Sequence, residues 1–199
     1  MSRADNLTEY KAQVRQQVLT AAQVLFARDG YKMTSLGSIA AEVGIGRTTL
    51  YEYFTDKEDL VATLVEETLP NVIEDVVRAA RSEDRIERFV GLAVGMVDFI
   101  SQDPVLGLLL HTEVPKMSDK AQQRVAVAHR GLSAEFGAVY RAGVEAGVLK
   151  PLPPRLVGRF AQDIIMSAAR AVIEAEDPKQ ASPAITAAMV TVLLSGFAV

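Results

Sequence analysis

A short polar segment in the first third of the chain has the residue types and spacing for recognition chemistry. Arg47, Thr48 and Thr49 begin what the pattern predicts to be a short helix, and Tyr51 and Tyr53 follow within the next turn. A guanidinium binds phosphate oxygens or the edge of a guanine, and hydroxyl groups donate to phosphate oxygens. The first N–H groups of a helix also favour phosphate because they lack intrahelical partners. We therefore expect this segment to contact DNA.

The residues before and within this segment predict the scaffold that presents it. Apolar residues spaced by three and four positions form one face of a first short helix, and Gly44 stands where a helix ends in a left-handed residue. Leu50 and Phe54 continue the apolar seam on the second helix. Two helices joined by a glycine turn, with polar residues at the leading end of the second, are typical of a helix-turn-helix that enters the major groove. The first face comprises Leu36, Ile39, Ala40 and Val43.

Polar residues on both sides of the two helices extend the predicted contact set. The hydroxyls of Thr34 and Ser35 can donate to phosphate, or one of them caps the first helix. Lys57 lies at the predicted start of the next helix, where we expect its ammonium to bind a phosphate. The complete DNA-binding prediction is Thr34, Ser35, Arg47, Thr48, Thr49, Tyr51, Tyr53 and Lys57.

Residues 15–60 resemble the DNA-binding domain of the tetracycline-repressor (TetR) family of bacterial transcription regulators. The matching segments are Val18–Ala22, Leu25-Phe26, Gly30-Tyr31, Thr34-Ser35, Ile39-Ala40, Gly44-Ile45, Leu50-Tyr51, Tyr53-Phe54 and Lys57-Glu58. The resemblance implies a dimer that binds a palindromic operator, usually represses transcription, and is released by a small molecule bound in its second domain. This sequence departs from the family at Gly46, where serine is common, and at Thr48, where glycine is common. The second departure adds a hydroxyl and a methyl that can touch base edges.

Composition and periodicity predict an all-α protein with about nine helices. The chain has 199 residues, 49% of them apolar, and shows no strand-like alternation of useful length. We expect a flexible N-terminal arm (1–10), a three-helix helix-turn-helix domain (11–56) and a larger helical ligand-binding and dimerisation domain (57–199). The run from Thr55 to Glu58 has the pattern of a capping box, which places a helix start at about Asp56.

The C-terminal third predicts two helices, at about 155–174 and 182–197, that are apolar on more than one face. Such helices need partners on two sides, and we expect the second side to pack on another copy of the chain. The TetR resemblance implies the same homodimer through the last two helices. The alternative is a membrane anchor, because residues 180–199 carry no charge. Proline, threonine and serine dilute this run and no basic cluster flanks it, so we expect no membrane association.

Charge and residue usage exclude several other functions. The chain has a net charge of −4, and seven cations and eight anions leave residues 1–60 at −1. A DNA-binding domain usually has a basic surface, so an alternative is a helical interaction or scaffold protein with weak or lost DNA binding. There is no cysteine, and neither histidine belongs to a metal-spacing pattern. We therefore predict no metal, no cofactor and no enzymatic activity. Residues 1–11 are polar, which predicts a cytoplasmic protein.

Four residues of the second domain are candidates for the ligand pocket that the resemblance implies. Met96, Phe99, His111 and Tyr140 lie on otherwise apolar predicted helices. Each of them would equally serve as an ordinary core residue, and His111 is the best polar candidate. The apolar content favours a small apolar or amphipathic effector.

Overall fold

The computed structural model describes the backbone of residues 3–199 and the side chains of residues 8–199. This part of the chain forms nine α-helices and no strand beyond a single bridge between Leu149 and Ala198. The all-α prediction with about nine helices is confirmed. The helices are α1 (Arg3–Asp29), α2 (Leu36–Val43), α3 (Arg47–Tyr51), α4 (Lys57–Ala79), α5 (Arg85–Gln102), α6 (Pro104–Leu108), α7 (Asp119–Glu145), α8 (Pro154–Ile173) and α9 (Pro178–Phe197). A π-helical turn (Leu109–Glu113) and a 3₁₀ turn (Val114–Lys116) follow α6.

The helices divide into two compact units. The first unit comprises the chain up to Glu67 together with Leu108–Val125, and the second comprises Thr68–Gly107 and Ala126–Val199. Helix α4 begins at Lys57, the residue after the predicted end of the helix-turn-helix domain, whereas the two units divide within this helix, between Glu67 and Thr68.

The first unit has an apolar core built from α1, α2, α3 and the segment that follows α3. An apolar stripe on α1 is buried, as are the seam residues Leu50 and Phe54. The predicted face of α2 is buried except at Val43, which is half-buried. Gly30 directly follows the last residue of α1 and has a left-handed φ of 82°. Glycine suits this position because it has no Cβ and so adopts the left-handed conformation without steric cost. The stripe on α1 consists of Val14, Val18, Ala21, Ala22 and Leu25.

Helix α1 begins earlier than the sequence analysis expected. It starts at Arg3, so residues 3–10, which we assigned to an arm, are helical. The physical reason is local, since residues 3–13 contain neither glycine nor proline and are rich in good helix formers. The side chain of Arg3 and residues 1–2 lie outside the described part of the chain.

The start of α4 is capped differently from the predicted Thr55–Glu58 box. Asp56 accepts the N–H of Asp59 at 2.7 Å, and Asp59 in turn accepts the N–H of Thr55 at 2.8 Å. Aspartate is a strong helix cap, and a carboxylate near a helix N-terminus is further stabilised by the helix dipole. Glu58 is thereby free for another partner, Ser118.

The second unit contains an aromatic cluster around Phe89 of α5. Its ring lies 5.0 Å from that of Phe136, 6.5 Å from that of Tyr140 and 5.7 Å from that of Phe197, measured between ring centroids. These residues come from α5, α7 and α9, so the cluster joins three helices of this unit. Offset and edge-on ring pairs at such distances stabilise a core beyond simple burial.

Helix α9 also begins earlier than predicted, at Pro178 instead of Ser182. Asp177 accepts the N–H of Gln180 at 3.1 Å, and Pro178 occupies the first helical position. Asp177-Pro178 offers a carboxylate cap and a proline whose missing N–H costs nothing at the first helical position, so the helix already begins four residues before Ser182. Met189, Leu193 and Phe197 form the buried face, while Val192 is exposed. By length and composition α9 could cross a membrane, and 17% of its most apolar window is buried.

Candidate nucleic-acid interface

The turn between α2 and α3 has the backbone geometry that the glycine spacing predicts. Gly44 adopts a φ of 76° and its N–H reaches back to α2. Ile45 also donates its N–H to the carbonyl of Ala40 at 3.0 Å, which closes the end of α2. Helix α3 begins immediately afterwards at Arg47, and the buried side chain of Leu50 fixes its inner face. The residues on its other side therefore face solvent.

Arg47 and Tyr51 form an exposed pair on that outer side of α3. The Arg47 Nη2 donates to the Tyr51 hydroxyl at 3.3 Å, and its guanidinium carbon lies 5.8 Å from the centre of the Tyr51 ring. Tyr51 remains 44% exposed. A cation that rests against an aromatic ring has a restricted set of rotamers, so part of the entropy of ordering it is already lost before a ligand arrives.

The neighbouring hydroxyl residues of α3 and its C-terminal turn complete this exposed surface. Thr48 is exposed, while Thr49 and Tyr53 are half-buried. Burial, with smaller contributions from Tyr10 and Glu52, raises the pKa of Tyr53, so its phenol is protonated at neutral pH and can donate a hydrogen bond. Gly46 precedes α3 as its cap and supplies no side-chain hydrogen bond, as its departure from serine predicts.

Thr34 does not belong to the exposed surface, contrary to the prediction. Its side chain is buried, and its hydroxyl lies within hydrogen-bond distance of the carbonyls of Gly30 at 2.9 Å and Leu25 at 3.2 Å. A hydroxyl has one proton to donate, and both acceptors lie inside the protein. Thr34 therefore fastens the start of α2 to the end of α1. Ser35 is exposed, and its hydroxyl oxygen caps α2 by accepting the N–H of Ser38 at 3.0 Å.

Lys57 is also engaged inside the fold. Its ammonium donates to the carbonyls of Tyr31 at 2.8 Å and Thr34 at 2.9 Å, and it lies 4.1 Å from the centre of the Tyr31 ring. Burial lowers the pKa of Lys57, opposed by the nearby Glu113. Burial and then the surrounding carboxylates raise the pKa of Tyr31 to about 12. The prediction of a phosphate contact is thus replaced by an internal role, because two of the three ammonium protons already have partners.

The charges of the first unit explain how a region without net positive charge can present a basic surface. Asp29 pairs with Arg28, and the three carboxylates at the start of α4 (the cap Asp56, Glu58 and Asp59) accept hydrogen bonds from partners within the first unit. Arg47 and Lys32 are exposed cations, the first at the start of α3 and the second in the connection between α1 and α2. Sequence reasoning overlooked Lys32, although its place three residues before the Ser35 cap is a usable signal. We refer to Ser35, Arg47, Thr48, Thr49, Tyr51 and Tyr53 as the reading surface.

The four candidate pocket residues do not lie in one unit. Met96, Phe99 and Tyr140 belong to the second unit, whereas His111 belongs to the first. Tyr140 is buried, and its hydroxyl accepts the N–H of Leu152 at 2.8 Å and lies 2.7 Å from the carbonyl of Lys150. Its hydrogen-bonding capacity is thereby used on the loop after α7, which makes it a core residue. Met96 is buried and Phe99 half-buried on α5, and no group of three metal-ligating side chains occurs among the described residues.

Helices α8 and α9 leave an apolar surface open to solvent in the second unit. Leu156 and Phe160 are exposed on α8, and Val192 is exposed on α9. A groove of about 420 Å³ runs between these two helices. Asp163 and Ser167 are the polar residues of its lining. The apolar lining residues are Ile164, Ala168, Ile185, Ala188, Met189 and Val192. Apolar surface of this extent marks an interaction site in soluble proteins.

Comparisons with known proteins find bacterial regulators that are similar to this chain. Residues 18–64 match the model of the family "Bacterial regulatory proteins, tetR family". The chain is 22% identical over 135 residues to the fatty acid metabolism regulator protein of Bacillus subtilis, which covers 67% of this chain and 70% of that protein. It is 40% identical over 68 residues to the transcriptional regulator AcrR of Shigella flexneri, covering 34% of this chain and 32% of the relative.

Solved structures share the fold over nearly the whole chain. A TetR-family regulator from Shewanella superimposes with a TM-score of 0.75 at 22% identity, covering 94% of this chain and 98% of that one. FadR from Bacillus subtilis, solved with stearoyl-CoA, superimposes with a TM-score of 0.72 at 19% identity, covering 88% and 97%. The chain, including the helix pair at residues 36–51, thus shares its fold with these structures.

Proposed function

We propose that the chain is a TetR-family transcriptional regulator, and that it is a repressor that binds a palindromic operator as a homodimer. A small apolar or amphipathic effector bound in the second unit weakens DNA binding. The observation that carries the proposal is the exposed Arg47–Tyr51 pair on the outer side of α3. The reading surface enters the major groove, with Arg47 on a guanine edge or a phosphate and the hydroxyls of Tyr51 and Tyr53 on phosphates.

Dimerisation gives this small surface its affinity and its palindromic target. A two-fold dimer presents two reading surfaces to half-sites that lie about one helical turn of DNA apart. The apolar surface of α8 and α9 supports such a dimer, since burying Leu156, Phe160 and Val192 removes apolar area from water. Each additional phosphate contact also strengthens the salt dependence of binding, so a dimer with few cations per copy has a modest salt slope.

The effector proposal draws on the apolar second unit and on two similar proteins. The Bacillus subtilis relative is named a fatty acid metabolism regulator, and the FadR structure contains stearoyl-CoA. We therefore take long-chain acyl compounds as the first candidates. An effector that lowers operator affinity tenfold needs about 1.4 kcal/mol of preference for the DNA-free state. A repressor of this kind, released from DNA by its effector, acts in the cytoplasm and requires no catalysis.

The test begins with selection of an operator from random duplexes and from the DNA upstream of the protein's own gene. The affinity of the wild-type protein for that operator is then compared with that of a variant carrying Arg47→Ala and Tyr51→Phe, over a range of salt concentrations. We expect a weaker affinity and a shallower salt slope for the double variant. Arg28→Ala is the matched control, because Arg28 is exposed but paired with Asp29. An unchanged affinity of the double variant argues for the alternative of an interaction protein that does not read DNA through α3.

The effector is tested on the same operator complex. Acyl-CoA thioesters and free fatty acids of increasing length are screened for thermal stabilisation of the protein, and each stabilising compound is then added to the complex. Ligands that bind only the folded state raise its melting temperature in proportion to their saturation. We expect the stabilising compounds to release DNA; stabilisation without release contradicts the proposed regulation.

A further inference from the structure

A cluster of charged side chains joins the first turns of α4 to the start of α7 within the first unit. The Arg124 guanidinium donates from Nε to Glu66 at 2.8 Å and from Nη1 to Asp59 at 2.5 Å. Its Nη2 donates to Glu66 at 2.5 Å and to Thr63 at 2.8 Å. Because residues 59, 63 and 66 recur at helical spacing, they share one face of α4. The Arg124 guanidinium thus donates four of its five N–H groups to side chains on a single face of α4.

A second contact reinforces the first. Glu58 accepts both the backbone N–H of Ser118 at 2.9 Å and its hydroxyl at 2.6 Å, from the residue that immediately precedes α7. We call these contacts the α4–α7 latch, defined as Arg124 with Asp59, Thr63 and Glu66, and Ser118 with Glu58.

Asp59 connects the latch to the segment that follows the reading helix. One of its carboxylate oxygens accepts from Arg124, and the other accepts the N–H of Thr55 at 2.8 Å and its hydroxyl at 3.1 Å. Thr55 directly follows Phe54, whose buried ring belongs to the apolar seam under α3. A single carboxylate therefore bridges α7 and the exit of the helix-turn-helix.

The bridge is ionic at neutral pH. Burial by itself would raise the pKa of Asp59, but the hydrogen bonds from Thr55 and Arg124 and the charge of Arg124 lower it. The hydrogen bond to Glu66, with help from Asp59, raises the pKa of Arg124 against its burial. Charge-assisted, partly buried hydrogen bonds of this kind are stronger and more directional than neutral ones.

We propose that Arg124 is a positioning residue for DNA binding: through Asp59 it fixes the orientation of α3 and its exit segment, without touching DNA. This inference rests on the proposed function. If the latch opens, the reading surface samples more orientations, and the affinity for the operator falls because fewer molecules hold the binding geometry. The number of phosphates contacted in the complex does not change.

The test measures operator affinity against salt concentration for Arg124→Gln, Arg124→Lys and a control. Lys120→Gln is the control, because Lys120 is an exposed cation on α7, one helical turn before Arg124. We expect Arg124→Gln to lower the affinity by about 2- to 30-fold with an unchanged salt slope. Arg124→Lys keeps the charge but loses the planar guanidinium, so we expect its operator affinity to lie between those of wild type and Arg124→Gln. Lys120→Gln should bind the operator like wild type.

A second readout uses the free protein. Loss of Arg124 should speed hydrogen exchange at the N–H of Thr55, which bonds to Asp59, and combining Arg124→Gln with Asp59→Asn should add little to either change alone. Circular dichroism checks folding. If Arg124→Gln does not fold, Ser118→Ala, which removes one hydroxyl contact, serves in its place with the same expected direction.

The outcomes separate the two proposals. A wild-type protein that binds no duplex overturns the proposed function and this inference with it. Tight wild-type binding together with an unchanged affinity of folded Arg124→Gln, or of Ser118→Ala in its place, overturns only the inference. A reduced affinity accompanied by a shallower salt slope also overturns it, since that pattern identifies a residue that contacts phosphate.

Discussion

At the residue scale, several polar side chains that a DNA-binding sequence pattern offers to phosphate are used to hold the first unit together. Lys57 spans the connection between α1 and α2 with two carbonyl contacts, and Thr34 closes the same connection from inside. A buried carbonyl that loses its donor costs free energy because no water replaces it. The reading surface is consequently smaller than the residue types predict, and its rigidity depends on these internal contacts.

Replacing Lys57 by methionine should therefore destabilise the protein before it affects DNA contact. The substitution leaves the carbonyls of Tyr31 and Thr34 without their donor, and we expect the free energy of unfolding to fall by about 1–3 kcal/mol. Urea denaturation measures the change. Lys32→Met is the control, because Lys32 is exposed and its replacement removes the same charge. A stable Lys57→Met protein with a shallower salt slope of DNA binding would restore the phosphate contact that the sequence predicts.

The carboxylate of Asp59 should impose a pH dependence on stability. Its pKa in the folded protein lies below the ordinary 3.8, so its ionised form stabilises the fold at neutral pH, and this contribution disappears as the pH falls through the folded pKa. We expect Asp59→Asn to lower the free energy of unfolding by about 1–3 kcal/mol at pH 7. The difference from wild type should shrink below about pH 4, where the carboxyl group of the unfolded chain protonates. Urea unfolding across this range tests the prediction, with Asp98→Asn on the exposed side of α5 as control; a difference that is constant with pH contradicts it.

At the element scale, helix ends decide how α3 is presented. Gly44 and Gly46 flank Ile45, but only Gly44 adopts a left-handed φ, at 76°, while Gly46 has a φ of −67° as the cap of α3. A Cβ would meet no atom within 4 Å at Gly44, and the Thr49 Oγ1 at an ordinary 3.6 Å at Gly46. Space is therefore available at both positions, and the backbone conformation alone distinguishes them.

The same substitution at these two glycines should have opposite effects. Gly44→Ser places an L-residue in the left-handed region and should destabilise the protein by about 1–2 kcal/mol. Gly46→Ser adds a cap hydroxyl in reach of the first turn of α3 and should stabilise it by a few tenths of a kcal/mol. Thermal and urea unfolding of the two variants decide the comparison. Equal destabilisation of both would mean that the turn is limited by space instead of φ.

Local rules predicted those elements in which neighbouring residues carry the whole signal. The α1 stripe, the α2 face and the Gly44 turn follow from helical spacing and from the conformational freedom of glycine, so the helix-turn-helix could be derived from its own residues. The cap of α4 and the start of α9 were misplaced because two capping patterns compete within a few residues, and Asp56 and Asp177 outcompete Thr55 and Ser182. Lys57 and Tyr140 were misjudged because their partners lie at least ten residues away in the sequence. Thr34 was misjudged because its burial depends on the packing of α2 against α1, including a carbonyl nine residues away.

At the scale of the whole molecule, an acidic protein must bind a polyanion. The net charge of −4 gives no general attraction to DNA, so affinity has to come from a few positioned cations and from doubling them in a dimer. The apolar surface of α8 and α9 is the proposed site for that second copy, because a surface that exposes Phe160 to 51% and Val192 to 55% is costly to leave in water. The proposed dimer would thus link the apolar C-terminal helices to the affinity of a sparsely charged reading surface.

Charge placed on this surface should separate the copies and abolish tight DNA binding together. Phe160→Glu and Val192→Glu each bury a carboxylate without a partner if the dimer forms, so we expect folded monomers in analytical ultracentrifugation. Loss of the second reading surface should weaken operator binding by about 10²- to 10⁴-fold. Val127→Glu is the matched control, because Val127 is 52% exposed on α7 and lies outside the α8–α9 surface. Variants that stay dimeric would place the interface elsewhere. A wild-type protein that floats with lipid vesicles would instead assign α9 to a membrane, and the same glutamate substitutions would then release the protein from the vesicles.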